Sequence, residues 1–255
     1  TVKTAEDYLF VPAANMLMAF MVGTGATVIA YRKFNLSFYR PSAGEITQCM
    51  KDGFTYFAKS ITDNAAKITN TVILGFVAGN EVVGYYGAGE KLMDAIRAML
   101  APFFQAIFPN SRKFAAEGKS KWLKFIKVVG PVSASFGFLL SFLLFIFADQ
   151  AVTILLGEQY EQSAPVVRVL SFFLFLFSVN NILGIQTLVS LGYSRPFLVL
   201  TVIARLLGLT ASAVIIPLFG IMGAAFSLLA GEFVYTLALL MYILSKRIFS
   251  SGVER

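Results

Sequence analysis

The sequence contains no histidine and a single cysteine, Cys49. Histidine is the commonest metal ligand and general base near neutral pH, so its absence argues against metal-dependent and acid–base chemistry. One cysteine excludes an internal disulfide framework. We therefore expect a protein with no metal centre.

Charged residues are also few. They make up 14% of the 255 residues, whereas apolar residues make up 57% and the mean hydropathy is +0.74. A typical soluble domain has about 25% charged residues, so this composition predicts a membrane protein. The net charge of +7 does not require a nucleic-acid partner, because membrane proteins concentrate Lys and Arg in their cytoplasmic loops.

Long apolar stretches predict the spans. Crossing about 30 Å of hydrocarbon takes roughly 20 residues of helix, and only helices or closed barrels satisfy the backbone there. The second and third stretches carry several charged residues, which lower their hydropathy. Their period of about 3.6 residues nevertheless identifies both as helices. The sequence thus predicts an all-α integral membrane protein with seven transmembrane helices: Tyr8 to Tyr31, Asp52 to Ala78, Val82 to Phe108, Val128 to Ala148, Pro165 to Ser190, Pro196 to Pro217 and Ile221 to Ser245.

Loops rich in Lys and Arg alternate with loops that have almost none. Arg32, Lys33 and further basic residues follow the first span, whereas Lys3 is the only basic residue in the loops on the opposite side. Positive residues favour the cytoplasm, so we expect the N-terminus outside and the C-terminus inside. The basic run from Arg112 to Lys127 is explained by this topology and by lipid headgroups rather than by nucleic acid.

The chain opens at Thr1, a few residues before the first predicted span. No initiator methionine, signal peptide or basic flank precedes that span. An external start with no export device predicts that the sequence is a fragment of a longer protein.

Ionisable residues recur inside the second and third predicted spans at intervals of three and four, which places many of them on one helix face. Such groups are costly in hydrocarbon, and by default they mark a wet cavity or a transport pathway. The last two spans add one basic and one acidic residue. The candidate residues of the pathway are therefore Lys59, Asp63, Lys67, Glu90, Lys91, Asp94, Arg97, Arg205 and Glu232.

Counting residues inward from the outer surface, at about 1.5 Å each, places several of these charges at matching depths. The predicted pairs are Lys67 with Asp94, Asp63 with Arg97, and Arg205 with Glu232. Lys59, Lys91 and Glu90 have no equally obvious partner. The alternative interpretation is that the pairs only lock helices together, since pairing lowers the cost of burial without requiring a pathway.

Smaller features predict local structure. Gly79-Asn80-Glu81 and Phe219-Gly220 predict tight turns. Ala151 to Leu156 predicts a short interfacial helix on the outer surface, followed by an N-cap at Ser163. The polar residues Asn180, Asn181 and Gln186 predict interhelical hydrogen bonds. Aromatic anchors at the membrane interfaces are predicted at Tyr85, Tyr86, Tyr193 and Trp122.

Several segments resemble a known family. Val83 to Leu92, continuing through Pro102 to Pro109, resembles the corresponding helix of bacterial O-antigen and polysaccharide flippases of the Wzx type. Leu191 to Arg195, followed by Ile215 to Ala225, resembles a pattern shared across the multidrug, oligosaccharidyl-lipid and polysaccharide exporter superfamily.

The resemblance implies twelve helices in two six-helix lobes. Residues 1–51 would then be the last helix of the N-terminal lobe and a cytoplasmic linker, and residues 52–255 the six-helix C-terminal lobe. The missing N-terminal helices would be partners within the same protein. The location would be the bacterial inner membrane, with the N-terminus of this sequence periplasmic.

The implied function is translocation of an undecaprenyl-diphosphate-linked oligosaccharide by alternating access coupled to H⁺ or Na⁺. No covalent step and no cofactor are implied, so the protein would not be an enzyme. From the helix faces, and not from the resemblance, we expect the positive field for the diphosphate to come from Lys59, Lys67, Lys91, Arg97 and Arg205. Protons or Na⁺ would exchange at Asp63, Glu90, Asp94 and Glu232.

Alternatives remain open at this point. A drug or metabolite antiporter would share the fold. A seven-helix receptor or light-driven pump would share the topology, although a retinal protein needs a lysine in its final helix and Ile221 to Ser245 has none. A membrane glycosyltransferase or polymerase would need a longer external segment than Asp149 to Ser163.

Overall fold

A computed structural model of the chain describes residues 10–34 and 39–249. Within those ranges every regular element is helical, which confirms the predicted all-helical fold there. The α-helices are α1 (Phe10–Phe34), α2 (Ala43–Ala78), α3 (Asn80–Ala116), α4 (Lys119–Ile146), α5 (Ala148–Leu155), α6 (Ala164–Leu170), α7 (Phe172–Asn180) and α8 (Ser194–Ser245). A 3₁₀ helix spans Glu158–Ser163 and a π-helix spans Asn181–Val189.

The chain divides into two compact units, Thr1–Asp52 and Gly53–Arg255. The first contains α1 and the beginning of α2, and the second contains the other helices. The assignment of residues 1–51 and 52–255 to two lobes of a larger exporter stays a prediction.

A capping box begins α2. The Ser42 backbone N–H donates to Glu45 Oε2 at 2.7 Å, and the Glu45 N–H donates to Ser42 Oγ at 3.3 Å. The Tyr39 hydroxyl also donates to Glu45 Oε2, at 3.0 Å. Each of the two side chains, those of Ser42 and Glu45, thus accepts a hydrogen bond from a backbone N–H group that has no acceptor within the helix. Because these bonds favour the charged carboxylate, above all the one from the Ser42 N–H, they lower the pKa of Glu45 from its ordinary value of 4.5.

Three segments of the described chain are long and apolar enough to cross a membrane: Lys119–Ile146, Glu158–Val189 and Ser194–Ser245. The last has 52 residues, which is enough for two crossings of about 20 residues each. The protein is therefore a multi-pass helical membrane protein. The count of seven spans stays a prediction.

The predicted turn at Phe219-Gly220 is confirmed. Gly220 has φ 56° and ψ −129°, a conformation outside the helical region that suits glycine, and α8 reverses its direction there. Its two arms then pack so closely that a Cβ added to Gly208 would lie 3.6 Å from the Gly231 Cα. Small residues allow this approach, as is usual where membrane helices meet. Gly79, at φ 83°, likewise separates α2 from α3 as predicted.

The prediction of interfacial anchors is wrong for Trp122 and Tyr86, because both side chains are fully buried. Trp122 Nε1 donates to the Gln186 carbonyl oxygen at 3.2 Å, and its ring stacks on Phe249 with centroids 6.0 Å apart. The physical reason is that α4 begins at Lys119, well before its apolar stretch, so that Trp122 packs between helices.

The connection after α4 contains a short helix, α5, as predicted, while its placement at the membrane interface stays a prediction. Ser163 occupies the predicted N-cap position before α6, but its side chain does not cap the helix. The Ser163 hydroxyl makes no cap bond and donates instead to the Tyr85 carbonyl oxygen at 2.8 Å, which ties the connection to α3. Arg168 forms an ion pair with Asp149 across the same connection.

The π-helix at Asn181–Val189 continues directly from α7. Its wider turn brings residues five apart into contact: the Thr187 hydroxyl donates to the Ile182 carbonyl oxygen at 2.8 Å, and Gln186 Nε2 donates to Asn181 Oδ1 at 3.3 Å. Such turns are rare and occur often at functional sites. This one carries two of the polar side chains that border the cavities described next.

Candidate functional site

A cluster of four charged side chains joins α2 to α3. Lys67 Nζ donates to both carboxylate oxygens of Asp94, at 2.8 and 2.7 Å, which confirms the predicted pair. Lys67 Nζ also lies 3.9 Å from Glu90 Oε1, so Glu90 does have a cationic partner. Arg97 Nη2 lies 3.0 Å from Asp94 Oδ1, one helical turn away. The cluster is therefore a branched network rather than a set of separate pairs.

A second network joins the two arms of α8 to α7. Arg205 Nη1 lies 2.6 Å from Glu232 Oε1, which confirms that predicted pair as well. Asn180 Nδ2 donates to the other carboxylate oxygen at 2.8 Å, and the Thr236 hydroxyl donates to Asn180 Oδ1 at 2.8 Å. The guanidinium also lies over the Tyr235 ring, 5.6 Å from its centroid. Both carboxylate oxygens of Glu232 are thus satisfied, as a buried charge requires.

A cavity lies between the two networks. It measures about 680 Å³ when the space at its open side is included. Its wall combines cations and one acid with aromatic and amide side chains: Lys67, Arg97, Phe173, Phe177, Asn180, Asn181, Ile185, Phe197, Arg205, Leu228, Glu232 and Tyr235. We call this space the charged cavity.

Two further cavities share walls with the charged cavity. The first, of about 740 Å³ including its open side, shares Phe177, Asn181 and Ile185 with it. The second, of about 280 Å³ including its open side, shares Arg205 and Leu228 with it. Both further cavities therefore adjoin the charged cavity inside the helical unit from Gly53 onward.

Charge in and around the charged cavity is close to balanced. Lys67, Arg97 and Arg205 oppose the carboxylates of the two networks, which keeps the burial penalty low. Lys67 and Arg97 keep about a quarter to a third of their side chains exposed. Their N–H groups can therefore reach a bound anion, in competition with Asp94. Among the described residues, no group of acidic or cysteine side chains is arranged to hold a metal ion.

The other predicted site residues lie outside this geometry. Lys59 and Asp63 lie on α2, but their side chains are outside the described residues, so the pairing of Asp63 with Arg97 stays a prediction. Lys91 is exposed and does not border the charged cavity. It follows Glu90 directly and so points away from the face that carries Glu90 and Asp94.

Sequence reasoning missed the aromatic part of the wall. The Arg97 guanidinium lies 5.9 Å from the ring centroids of both Phe173 and Phe177, so the phenylalanine run of α7 contributes to the cavity wall as well as to the core. The predicted interhelical hydrogen bonding of Asn180 is confirmed by its bond to Glu232. The adjacent amides Asn180 and Asn181, placed directly after an aromatic run, are the signal that could have located this wall.

Comparison with known proteins gives this arrangement a context. Residues 1–115 match the model of a family described as polysaccharide biosynthesis protein. Two curated relatives are named as O-antigen transporters: one from Escherichia coli (strain K12), 28% identical over 207 residues, and one from Shigella dysenteriae, 26% identical over 216 residues. The resemblance to Wzx-type flippases is confirmed.

The matches cover 81% and 84% of this chain but only 50% and 51% of those two relatives. The chain thus spans about half the length of the curated relatives it matches. A solved structure, the outward-facing conformation of a multidrug resistance transporter of the MATE family in the MOP superfamily, aligns with a TM-score of 0.76 and 13% identity. That alignment covers 96% of this chain and 59% of the solved one, and it shows a shared fold.

Proposed function

We propose that this chain is part of a flippase that moves an undecaprenyl-diphosphate-linked oligosaccharide from the cytoplasmic to the periplasmic leaflet of the bacterial inner membrane. The observation that carries the proposal is the charged cavity, an open space between apolar helices with Lys67, Arg97 and Arg205 on its wall. The names of the two curated relatives support the same substrate class.

The physical argument rests on the two polar parts of such a lipid. A diphosphate is anionic and a glycan carries many hydroxyl groups, so neither dissolves in hydrocarbon. A cavity with partly exposed cations replaces water around the diphosphate by charge-assisted hydrogen bonds. Apolar outer faces of α4 and α8 keep that cavity within the membrane.

Ion coupling follows from competition for the same cations. Lys67 binds either the carboxylate of Asp94 or an arriving diphosphate, and uptake of H⁺ or Na⁺ by an acid of the network favours the second state. Binding of the coupling ion and of the lipid would thereby shift the protein between two conformations. Alternating access needs a second lobe, which the missing N-terminal helices of the full protein would supply.

The proposal includes the orientation of the chain in the membrane. The chain would have seven spans, of which the first is the last helix of an N-terminal lobe and the other six form a C-terminal lobe. This arrangement would place the first residues of the sequence in the periplasm and the C-terminus in the cytoplasm. The basic residues after α3 and at the start of α4 support that orientation, since positive residues favour the cytoplasm.

The proposal is tested by complementation of a flippase-deficient strain with the full-length protein. Lys67→Ala combined with Arg97→Ala should abolish surface polysaccharide while membrane insertion persists. Lys121→Ala, which removes an exposed pair with Glu117, should complement normally and serves as the control. Normal surface polysaccharide in the Lys67 and Arg97 variant would refute the proposal.

A drug or metabolite antiporter is the second candidate. Aromatic side chains beside an acid, here Phe173, Tyr235 and Glu232, also suit organic cations, and the fold is that of a multidrug transporter. Expression in a drug-sensitive strain distinguishes the two functions. Raised drug tolerance without rescue of surface polysaccharide would favour the antiporter.

A further inference from the structure

The cavity of about 740 Å³ beside the charged cavity has a different chemistry. Its wall contains no charged residue and combines amide with aromatic side chains: Ala101, Phe104, Gln105, Phe108, Phe177, Asn181, Ile185 and Gln186. We call it the amide cavity. Its uncharged wall shows that it is not simply an extension of the anion-binding surface.

Gln186 is held rigidly at this wall. Its carbonyl oxygen accepts hydrogen bonds from Ser111 Oγ at 2.8 Å and from Trp122 Nε1 at 3.2 Å. Its side-chain Nε2 donates to the Phe104 carbonyl oxygen at 3.0 Å and to Asn181 Oδ1. Four hydrogen bonds thus orient the residue on the π-helix.

One polar atom of Gln186 nevertheless has no hydrogen-bond partner among the described residues. Its Oε1 is buried and accepts no hydrogen bond from any described residue. A buried acceptor without a donor is costly, and such groups in native structures call for an explanation. Because Gln186 borders the amide cavity, a donor on a bound ligand is the explanation that the geometry offers.

The wall matches one class of ligand. Amide side chains both donate to and accept from hydroxyl groups, while aromatic rings pack against apolar surfaces that carry C–H groups. A neutral sugar ring has both features, hydroxyl groups at its edge and C–H groups on its faces. We propose that the amide cavity binds the sugar residue attached to the lipid diphosphate, with Gln186 Oε1 accepting from a sugar hydroxyl; this rests on the proposed function.

The two cavities are placed so that one ligand reaches both. They share Phe177 and Asn181, and one face of α3 borders them in turn, with Arg97 at the charged cavity and Gln105 at the amide cavity. Eight residues of α-helix separate these positions, which is about 12 Å. A lipid whose diphosphate lies among the cations of the charged cavity would therefore place its first sugar in the amide cavity.

Binding of two lipids to the full-length protein in nanodiscs tests the proposal. The probes are undecaprenyl diphosphate and the same lipid carrying one neutral hexose. The wild-type protein should bind the sugar-bearing lipid about tenfold more tightly, the combined effect of one ring contact and a hydrogen bond. Gln105→Ala combined with Phe108→Leu should remove that preference and leave the affinity for the sugar-free lipid unchanged.

Three controls make the outcome decisive. Gln105→Ala alone, at an exposed position, should reduce the preference in part and guards against misfolding of the double variant. Phe138→Leu, on an exposed face away from the cavity, should change nothing. Lys67→Ala should weaken both lipids alike.

The possible failures are distinguishable. If the wild-type protein binds both lipids equally, or if the double variant weakens both alike, the sugar site is refuted while the proposed transport of lipid diphosphates stands. If the wild-type protein binds neither lipid, the proposed function fails and the sugar site fails with it.

Discussion

The two ion-pair networks of the second unit differ in how completely their charges are satisfied. Glu232 is 3% exposed, and Arg205 and Asn180 occupy both of its carboxylate oxygens. Asp94 has a side chain 42% exposed and shares Lys67 with Glu90. The first arrangement suits a fixed connection between helices. The second leaves its cations able to change partners, as the proposed transport cycle requires.

Removal of Glu232 should have the largest effect on stability. Glu232→Leu leaves the Arg205 guanidinium without its carboxylate and Asn180 Nδ2 without its acceptor in a buried place, which should lower the free energy of unfolding by about 3 kcal/mol. Reversible unfolding in mixed micelles measures this loss.

The matched control for that prediction removes both charges. Arg205→Met combined with Glu232→Leu should recover most of the stability, because no buried charge is then left uncompensated. Equal losses in the single and double variants would show that this network does not act as a fixed connection.

Removal of Asp94 should separate stability from transport. Asp94→Asn should change the free energy of unfolding by less than about 1 kcal/mol, since the pair is partly exposed. It should reduce surface polysaccharide at least severalfold, because the proposed exchange of Lys67 between Asp94 and the diphosphate is lost. Quantitative polysaccharide assays beside unfolding measurements check both parts, and a stability loss as large as that of Glu232→Leu would contradict the comparison.

The bond that orients the π-helix should have an intermediate effect. Trp122→Phe removes the donor to the Gln186 carbonyl oxygen but retains the buried ring, so we expect a loss of about 1 kcal/mol. Faster hydrogen exchange between Asn181 and Val189 should accompany it. Unchanged exchange in that segment would mean that Ser111 alone holds the carbonyl group.

The smallest effect is expected at the capping box of α2, where the charged partner is fully exposed. The lowered pKa of Glu45 means that its ionised form stabilises the helix start above pH 4.5, and that this contribution is lost as the pH falls through the folded-state value. Protection against hydrogen exchange in the first turn of α2, after correction for the intrinsic pH dependence of exchange, should fall over that range. Glu45→Gln should remove the pH dependence, and persistence of the dependence in that variant would assign it to another group.

Helical periodicity accounts for much of what was predictable. Depth counting paired Lys67 with Asp94 and Arg205 with Glu232 because the rise of an α-helix is constant and antiparallel neighbours share a starting edge. The period also identified α2 and α3, although their charges keep them out of the segments that hydropathy alone selects.

Other predictions failed because a residue type does not reveal its neighbours. Tryptophan is a residue type typical of membrane interfaces. Trp122 is nevertheless buried against Gln186, because α4 begins before its apolar stretch. Ser163 has the side chain of an N-cap, yet the Tyr85 carbonyl oxygen lies within reach of its hydroxyl. Lys91 is exposed and does not border the charged cavity, because consecutive helical residues face different directions, and its role in substrate binding stays a prediction.

Sequence by itself determined the helical membrane class, the glycine turns and two of the charge pairs, because these depend on composition, on backbone freedom and on a constant helical rise. Tertiary structure alone decided that Phe177, Asn181 and Gln186 border cavities next to those charges. A π-helix and the packing of α3 beside α7 bring these residues together, and long-range contacts of that kind leave no periodic pattern in the chain.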